Sequence, residues 1–210
     1  MIKTYAIVAI AALMALLGAA WWVTLGRAPD DAFAACRTSA IAGGSASIGG
    51  PFTLVNGQGQ TVTDADVITK PSLVYFGYTF CPDVCPLDNA RNAEAVDLLQ
   101  SRGYDVQPVF ISIDPDRDTP EVVAEFASYM HEDMIGLTGS AEQIRAASRA
   151  YKTYFRKQDA EDEFYLVDHS TFTYLVLPGT GFAEFFKRGD SAADMASRSA
   201  CFIDAAPEAN

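Results

Sequence analysis

Histidine and positive charge are what this sequence has least of. Only two histidines occur in 210 residues, His131 and His169. That excludes a zinc centre built on three imidazoles, and no H-E-x-x-H is present. Lysine and arginine number 15 against 27 aspartates and glutamates, a formal net charge of −12. Such a chain lacks the clustered cations that neutralise phosphates, so binding to nucleic acid through a broad basic face is excluded. G-x-x-x-x-G-K-[ST], G-x-G-x-x-G and G-x-S-x-G are all missing, and with them the usual marks of nucleotide hydrolysis, dinucleotide binding and elbow-type serine hydrolysis. No internal repeat or long run of one charge is found. What is there is a foldable composition, 50% hydrophobic and 11% aromatic, which argues against wholesale disorder. The four cysteines, Cys36, Cys81, Cys85 and Cys201, hold most of the chemical information.

Residues 5–25 form an apolar run interrupted only by Gly18 and Thr24. About 20 apolar residues cross a bilayer core, and a cleaved signal peptide has a shorter apolar stretch of about 7–15 residues. Lys3 precedes the run, Arg27 follows it, and Trp21 and Trp22 lie near its far end, where interfacial belts place tryptophan. Residues 1–27 are therefore expected to be a transmembrane anchor helix, with a cleaved signal as the alternative. Phe33-Ala34-Ala35-Cys36 is a poor lipoprotein box, because Asp30 and Asp31 break the apolar stretch such a box must follow. Residues 28–50, rich in Ala, Gly and Ser, read as a linker.

From 51 to 204 the chain alternates strand-like and helix-like segments, with 205–210 as a tail. Residues 52–55 and 60–63 flank Asn56-Gly57-Gln58-Gly59, a hairpin signal. Residues 72–78 (SLVYFGY) suit a buried central strand. A helix is expected over 86–101, ended by Gly103, and a strand over 106–113. Thr119 with Pro120 opens a helix to about Met130, and Ser140-Ala141-Glu142-Gln143 is a capping box for one reaching Tyr151. Strands at 163–167, 173–177 and 182–186 follow, the last two joined by a turn at 177–182, then a helix from about Ser191 to Cys201. This order implies an α/β, thioredoxin-like domain.

Cys81-Pro82-Asp83-Val84-Cys85-Pro86 lies between the buried strand and the first helix, where α/β sheets place their chemistry. The positive end of that helix favours thiolates. The i, i+4 spacing is one residue longer than C-x-x-C. On an ideal helix the two Cβ atoms would be about 5–6 Å apart, against about 3.8 Å in a disulfide. Two thiolates sharing a metal at about 2.3 Å each tolerate the wider spacing. His169, in Leu166-Val167-Asp168-His169-Ser170 just before a strand, is the candidate third ligand. In thioredoxin-like folds that entry loop faces the cysteine loop, although Ser170-Thr171 stands here where a cis-proline is usual. His131 reads as a solvated helix C-terminal cap. Two thiolates and an imidazole suit Cu(I) and tolerate Cu(II), whereas structural zinc wants four ligands. Asp168 is either a carboxylate that orients the imidazole or a simple turn residue.

The segments Tyr75-Phe76-Gly77-Tyr78-Thr79-Phe80-Cys81-Pro82-Asp83-Val84-Cys85-Pro86, Asp114-Pro115-Asp116-Arg117-Asp118-Thr119-Pro120 and Val167-Asp168-His169-Ser170, in this order, resemble the Sco/SenC family of copper chaperones over about residues 50–190. The resemblance implies a thioredoxin-like domain tethered to a membrane, copper ligands at Cys81, Cys85 and His169, and assistance in assembling the binuclear copper site of cytochrome c oxidase. Expected partners are the copper-site subunit of that oxidase, the membrane and other copper chaperones. The soluble domain is expected on the extracytoplasmic side, facing the periplasm in a bacterium or the mitochondrial equivalent. Phe80 departs from the family, many members of which carry a histidine there. The Asp114–Pro120 stretch has a bland reading as acidic residues and a cap at a helix start.

The competing function is a thiol–disulfide oxidoreductase that reduces the oxidase's cysteines, using Cys81 and Cys85 as its redox pair without need of His169. A peroxiredoxin lacks support, since Pro-x-x-x-Thr-x-x-Cys is absent. An oxidising compartment, two cysteines left over and a domain whose ends lie close together favour a structural disulfide between Cys36 and Cys201. Two unrelated thiols, or a lipid on Cys36, are the alternatives.

Overall fold

The computed structural model describes residues 2–25, 32–37, 48–159 and 164–207. Two compact units are formed, Met1–Ala34 and Ala35–Asn210. In the first, α1 (Ile2–Leu25) is a helix of 24 residues. Its exposed side chains include Ile10, Leu13, Met14, Leu16, Leu17, Trp21 and Trp22. The helix is as expected, but the span is not shown: among the described residues no helix is long and apolar enough to cross a membrane. Most of the expected linker, residues 26–31 and 38–47, lies outside the described residues.

The second unit holds β1 (Thr53–Asn56), β2 (Thr61–Thr63), α2 (Asp64–Val67), β3 (Ser72–Gly77), α3 (Val84–Ser101), β4 (Gln107–Ser112), α4 (Pro120–Met130), β5 (Ile135–Thr138), α5 (Ala141–Ala150), β6 (Phe155–Lys157), β7 (Val167–His169), β8 (Thr173–Leu177), β9 (Gly181–Phe186) and α6 (Ala192–Ala205). Among the described residues a seven-stranded sheet runs β2-β1-β5-β4-β3-β8-β9, and β6 pairs β7 in a separate hairpin. β3, β4 and β5 are parallel neighbours; β8 lies antiparallel to β3, and β1 antiparallel to β5. Every residue of β3 and of β4 is buried. Such continuous runs suit central parallel strands with both faces covered.

Local signals start the helices where the sequence places them. The Thr119 hydroxyl accepts from Val122 N, with Pro120 in the first turn of α4. Ser140 and Gln143 exchange the two bonds of a capping box at α5. α3 differs from expectation. It begins at Val84, ahead of Pro86, and Leu87 is exposed while Asp88, Asn89 and Asn92 are buried. Its inner face is polar because it faces the site described below. α6 continues past Cys201 to Ala205 because Phe202 is fully buried. β5 and β6 were not marked in the sequence, and the strand expected over 163–167 is displaced, since β7 begins at Val167. β5 needs its glycine: a Cβ on Gly136 would lie 2.3 Å from the carbonyl oxygen of Val123 in α4.

Cys36 and Cys201 form a disulfide with a Cα–Cα distance of 5.7 Å, the geometry of an ordinary bridge. It joins the start of the second unit to its last helix.

Candidate metal centre

The site stands at the carboxyl end of β3, the central strand. The chain leaves Gly77, turns through Tyr78–Thr79–Phe80 and enters α3 with Cys85 as its second residue. Cys81 N donates to the Tyr78 carbonyl, which closes the turn. Cys81 lies outside the helix, so the pair does not share a helix face as the ideal i, i+4 spacing assumes. Instead the Cys81 sulfur accepts from Cys85 N at 3.3 Å. It takes one of the N–H groups that a helix start leaves unpaired, a role the Asp83 side chain does not fill.

That arrangement separates the two thiols. A hydrogen bond from the Cys85 thiol, with the backbone N–H groups of Asp83 and Cys85, lowers the Cys81 pKa to about 4. Cys81 is therefore a thiolate at neutral pH. Cys85, fully buried, is pushed well above the ordinary thiol range by that same bond and by burial. It keeps its proton and donates it toward Cys81. Gly77 allows the approach, since a Cβ there would meet Tyr75 Cε1 at 2.8 Å and Cys85 Sγ at 3.0 Å.

His169 ends β7, and its ring comes from the far side of the chain. Its Nε2 is 3.3 Å from Cys85 Sγ. Its Nδ1 is 2.8 Å from the Ser170 carbonyl oxygen. A carbonyl only accepts, so Nδ1 carries the hydrogen and Nε2 presents a lone pair to the thiols. The rings of Tyr75 and Tyr78 meet the imidazole edge-on at 6.2 and 5.8 Å between centroids. Asp168 does not orient it. Its carboxylate accepts from Gln158 Nε2 at 2.6 Å and pairs with Arg156 at 3.2 Å, and these bonds hold its pKa below the ordinary value. The Ser170 carbonyl does the orienting. His131 is no part of the site and is not solvated: its side chain is 7% exposed, between Asp97 and Asp133 N. The turn at Ser170-Thr171 contains no cis bond.

The donor atoms of Cys81, Cys85 and His169 lie within 4.8 Å of one another. Two donors each about 2.3 Å from a shared metal are about 4.6 Å apart at most, so a shift of a few tenths of an ångström closes the set. Two thiolates and an imidazole are donors for a soft ion.

Beneath the site, the fully buried Tyr75 donates from its hydroxyl to Asp88 at 3.0 Å. Asp88 faces Arg91 at 3.6 Å and Arg188 at 3.9 Å. Burial raises its pKa above the usual carboxylate value. Asn89 Nδ2 donates to the Cys85 carbonyl. Sequence reading missed these residues, because Tyr75 sits in an apolar strand and reads as core. The available signal was the polar set Asp88, Asn89 and Asn92, close together in the first half of the helix that follows the cysteines.

A family model for SCO1/SenC matches residues 41–204. Protein SenC of Rhodobacter capsulatus is 54% identical over 203 residues, covering 97% of this chain and 91% of that one. The chain belongs to the SCO1/SenC family. Among solved structures, Arabidopsis thaliana ScoI with copper bound superposes with a TM-score of 0.71 at 40% identity, covering 75% of this chain and 99% of that one. BsSco, a member of the Sco family of cytochrome c oxidase assembly proteins in which a disulfide switch is identified, gives a TM-score of 0.58 at 25% identity, with 73% and 94% covered. The thioredoxin-like α/β fold of these Sco proteins is the fold seen here.

Proposed function

We propose that this SCO1/SenC protein is a copper chaperone. In this reading it carries copper on Cys81, Cys85 and His169 and assists assembly of the binuclear copper site of cytochrome c oxidase, with that oxidase's copper-site subunit as its partner. The observation that carries the reading is the convergence of three soft and borderline donors within 4.8 Å, in a fold whose Arabidopsis relative is solved with copper bound. Copper is the cargo. Cys81 offers a formed thiolate, and Cys85 gives up its proton as the ion binds. Three protein donors leave a position at which an incoming ligand can begin to exchange. Cys81 is flanked by exposed Phe80, Pro82 and Asp83, which puts the donors within a partner's reach.

The second reading, a thiol–disulfide oxidoreductase, is favoured by one observation: the Cys81 sulfur accepts from Cys85 N at the start of α3, which favours its thiolate, while Cys85 beside it is fully buried. Cys81 would attack a target disulfide and Cys85 would resolve the mixed disulfide. The target then leaves with two thiols, and Cys81 and Cys85 become the disulfide. Only the copper reading needs His169. Copper titration of wild type and His169→Ala, paired with a disulfide-reductase assay on both, separates them. The expected result is a loss of Cu(II) affinity of roughly tenfold or more in His169→Ala, with reductase activity little changed. Equal Cu(II) binding in both proteins would remove His169 from the site.

Residues 5–25 are proposed to tether this domain to a membrane, with the domain extracytoplasmic. The apolar run and its flanking Lys3 and Arg27 support the tether. The Cys36–Cys201 disulfide supports an oxidising compartment. A reporter active only outside the cytoplasm, fused after Asn210, is expected to work; activity of a cytoplasm-only reporter there would reverse the assignment.

A further inference from the structure

The Asp114–Pro120 stretch, between β4 and α4, is not used by the proposed site, and capping α4 does not account for it. Thr119 and Pro120 start that helix unaided, yet Asp114 and Asp118 are buried, Asp118 completely. A buried carboxylate requires partners, and the partners found here include residues from both segments that carry the metal donors, Thr79 on the cysteine side and Tyr165 on the histidine side.

Asp118 holds the cysteine side. Its carboxylate accepts from Thr79 N at 3.0 Å, from the Thr79 hydroxyl and from the Ser112 hydroxyl. Thr79 lies in the turn between β3 and Cys81. Arg117 and Asp114 hold the histidine side. Arg117 Nε donates to Asp114 at 2.6 Å, and the Tyr165 hydroxyl donates to the other oxygen of Asp114 at 2.6 Å. The guanidinium lies 3.6 Å from the centroid of the Tyr165 ring, 4.8 Å from that of Phe80 and 5.7 Å from that of Tyr78. Tyr165 stands just ahead of β7. The Tyr78 hydroxyl accepts from Val167 N of that strand, and its ring abuts His169.

Cys85 and His169 are 84 residues apart in sequence, so no local covalent path sets the distance between thiols and imidazole. We propose that Arg117 and Asp118 are positioning residues of the metal centre: adjacent in one turn, they fix the histidine hairpin and the cysteine loop relative to each other. Neither belongs to the donor set of Cys81, Cys85 and His169. The inference rests on the copper reading above. It predicts a division of labour. Cu(I) is satisfied by two thiolates, so loosening the hairpin through Arg117 costs Cu(II), which depends on the imidazole. Loosening the cysteine loop through Asp118 costs both ions.

The test loads the full chain with Cu(II) and separately with Cu(I), as wild type, Arg117→Met, Asp118→Asn and Tyr165→Phe. Affinity is measured by chelator competition, the sulfur-to-copper charge-transfer band by absorption, and nitrogen coupling by electron paramagnetic resonance. Partners of metal ligands are commonly worth about 10–100-fold in affinity. Arg117→Met is expected to lose roughly tenfold in Cu(II) affinity, with weakened nitrogen coupling and Cu(I) affinity within about threefold. Tyr165→Phe, which removes one hydroxyl and serves if Arg117→Met does not fold, moves the same way by less. Asp118→Asn lowers both affinities. Wild-type spectra and affinities in folded Arg117→Met and Tyr165→Phe, with only a lower melting temperature, would overturn the proposal and leave the loop a structural brace. A wild type without a sulfur-to-copper band would instead overturn the copper reading itself, and this inference with it.

Discussion

Replacing either Cys81 or Cys85 by alanine is expected to lower Cu(I) affinity about a hundred- to a thousand-fold. A four-ligand structural metal site is worth roughly 10–16 kcal/mol, or about 2.5–4 kcal/mol per ligand, and each 1.4 kcal/mol is tenfold. The two replacements differ in what they leave behind. In Cys81→Ala the remaining thiol is fully buried and the backbone N of Cys85 loses its acceptor. In Cys85→Ala the remaining Cys81 loses the hydrogen bond that contributes most to its low pKa. The pH profile of alkylation in the metal-free, reduced protein reports this. Wild-type Cys81 has its pKa at about 4, so it should stay reactive as pH falls until that range is crossed. In Cys85→Ala the midpoint should move up toward the ordinary thiol value. Chelator competition measures the copper effect and iodoacetamide labelling the proton effect. Undiminished Cu(I) affinity in Cys81→Ala would sink the site.

The second large effect concerns stability. The Cys36–Cys201 bridge spans a sequence separation of 165, and in the chain-entropy model closing so long a loop is worth up to about 5 kcal/mol, with about 2–4 kcal/mol typical of measured bridges. Cys201→Ser, or Cys36→Ser, is therefore expected to lower the melting temperature of the oxidised protein by roughly 5–15 °C for a domain of this size. Removing both cysteines should cost little more than removing one, because the bridge is already gone. A melting temperature unchanged in both single variants would mean the bridge contributes nothing to stability.

The sequence shows elements whose signals are local and chemical. Thr119-Pro120 and Ser140 to Gln143 place helix starts because the caps are built from adjacent side chains. β3 is legible because both faces of a central strand are buried, which leaves a run with no alternation. β5 was not legible. Ile135–Thr138 is short, and Gly136, a poor strand residue by propensity, is there because Val123 leaves no room for a Cβ. β7 exists through its pairing with β6, Phe155 opposite His169 and Arg156 opposite Asp168, which no apolar pattern records. In the candidate site the donors were legible because Cys81, Cys85 and His169 carry ligand atoms of a rare kind in this chain. Their supports were not, because Tyr75, Asp88, Arg117 and Tyr165 act through contacts that only the fold creates. The two readings of Asp168 stayed open for the same reason: adjacency to His169 in sequence does not say where its carboxylate points, and in the fold it engages Gln158 and Arg156.

The bridge at Cys36 also decides where mechanical load enters the domain. A pull arriving along the chain from residues before Cys36 meets a covalent junction with Cys201 before it reaches the sheet. The force is passed into α6, which packs on α3 and is tied to its surroundings by Arg198 with Glu184 and by Asp204 with the Tyr104 hydroxyl. β1, otherwise the first strand in line, lies beyond the junction and is spared from being unzipped from β5 one hydrogen bond at a time.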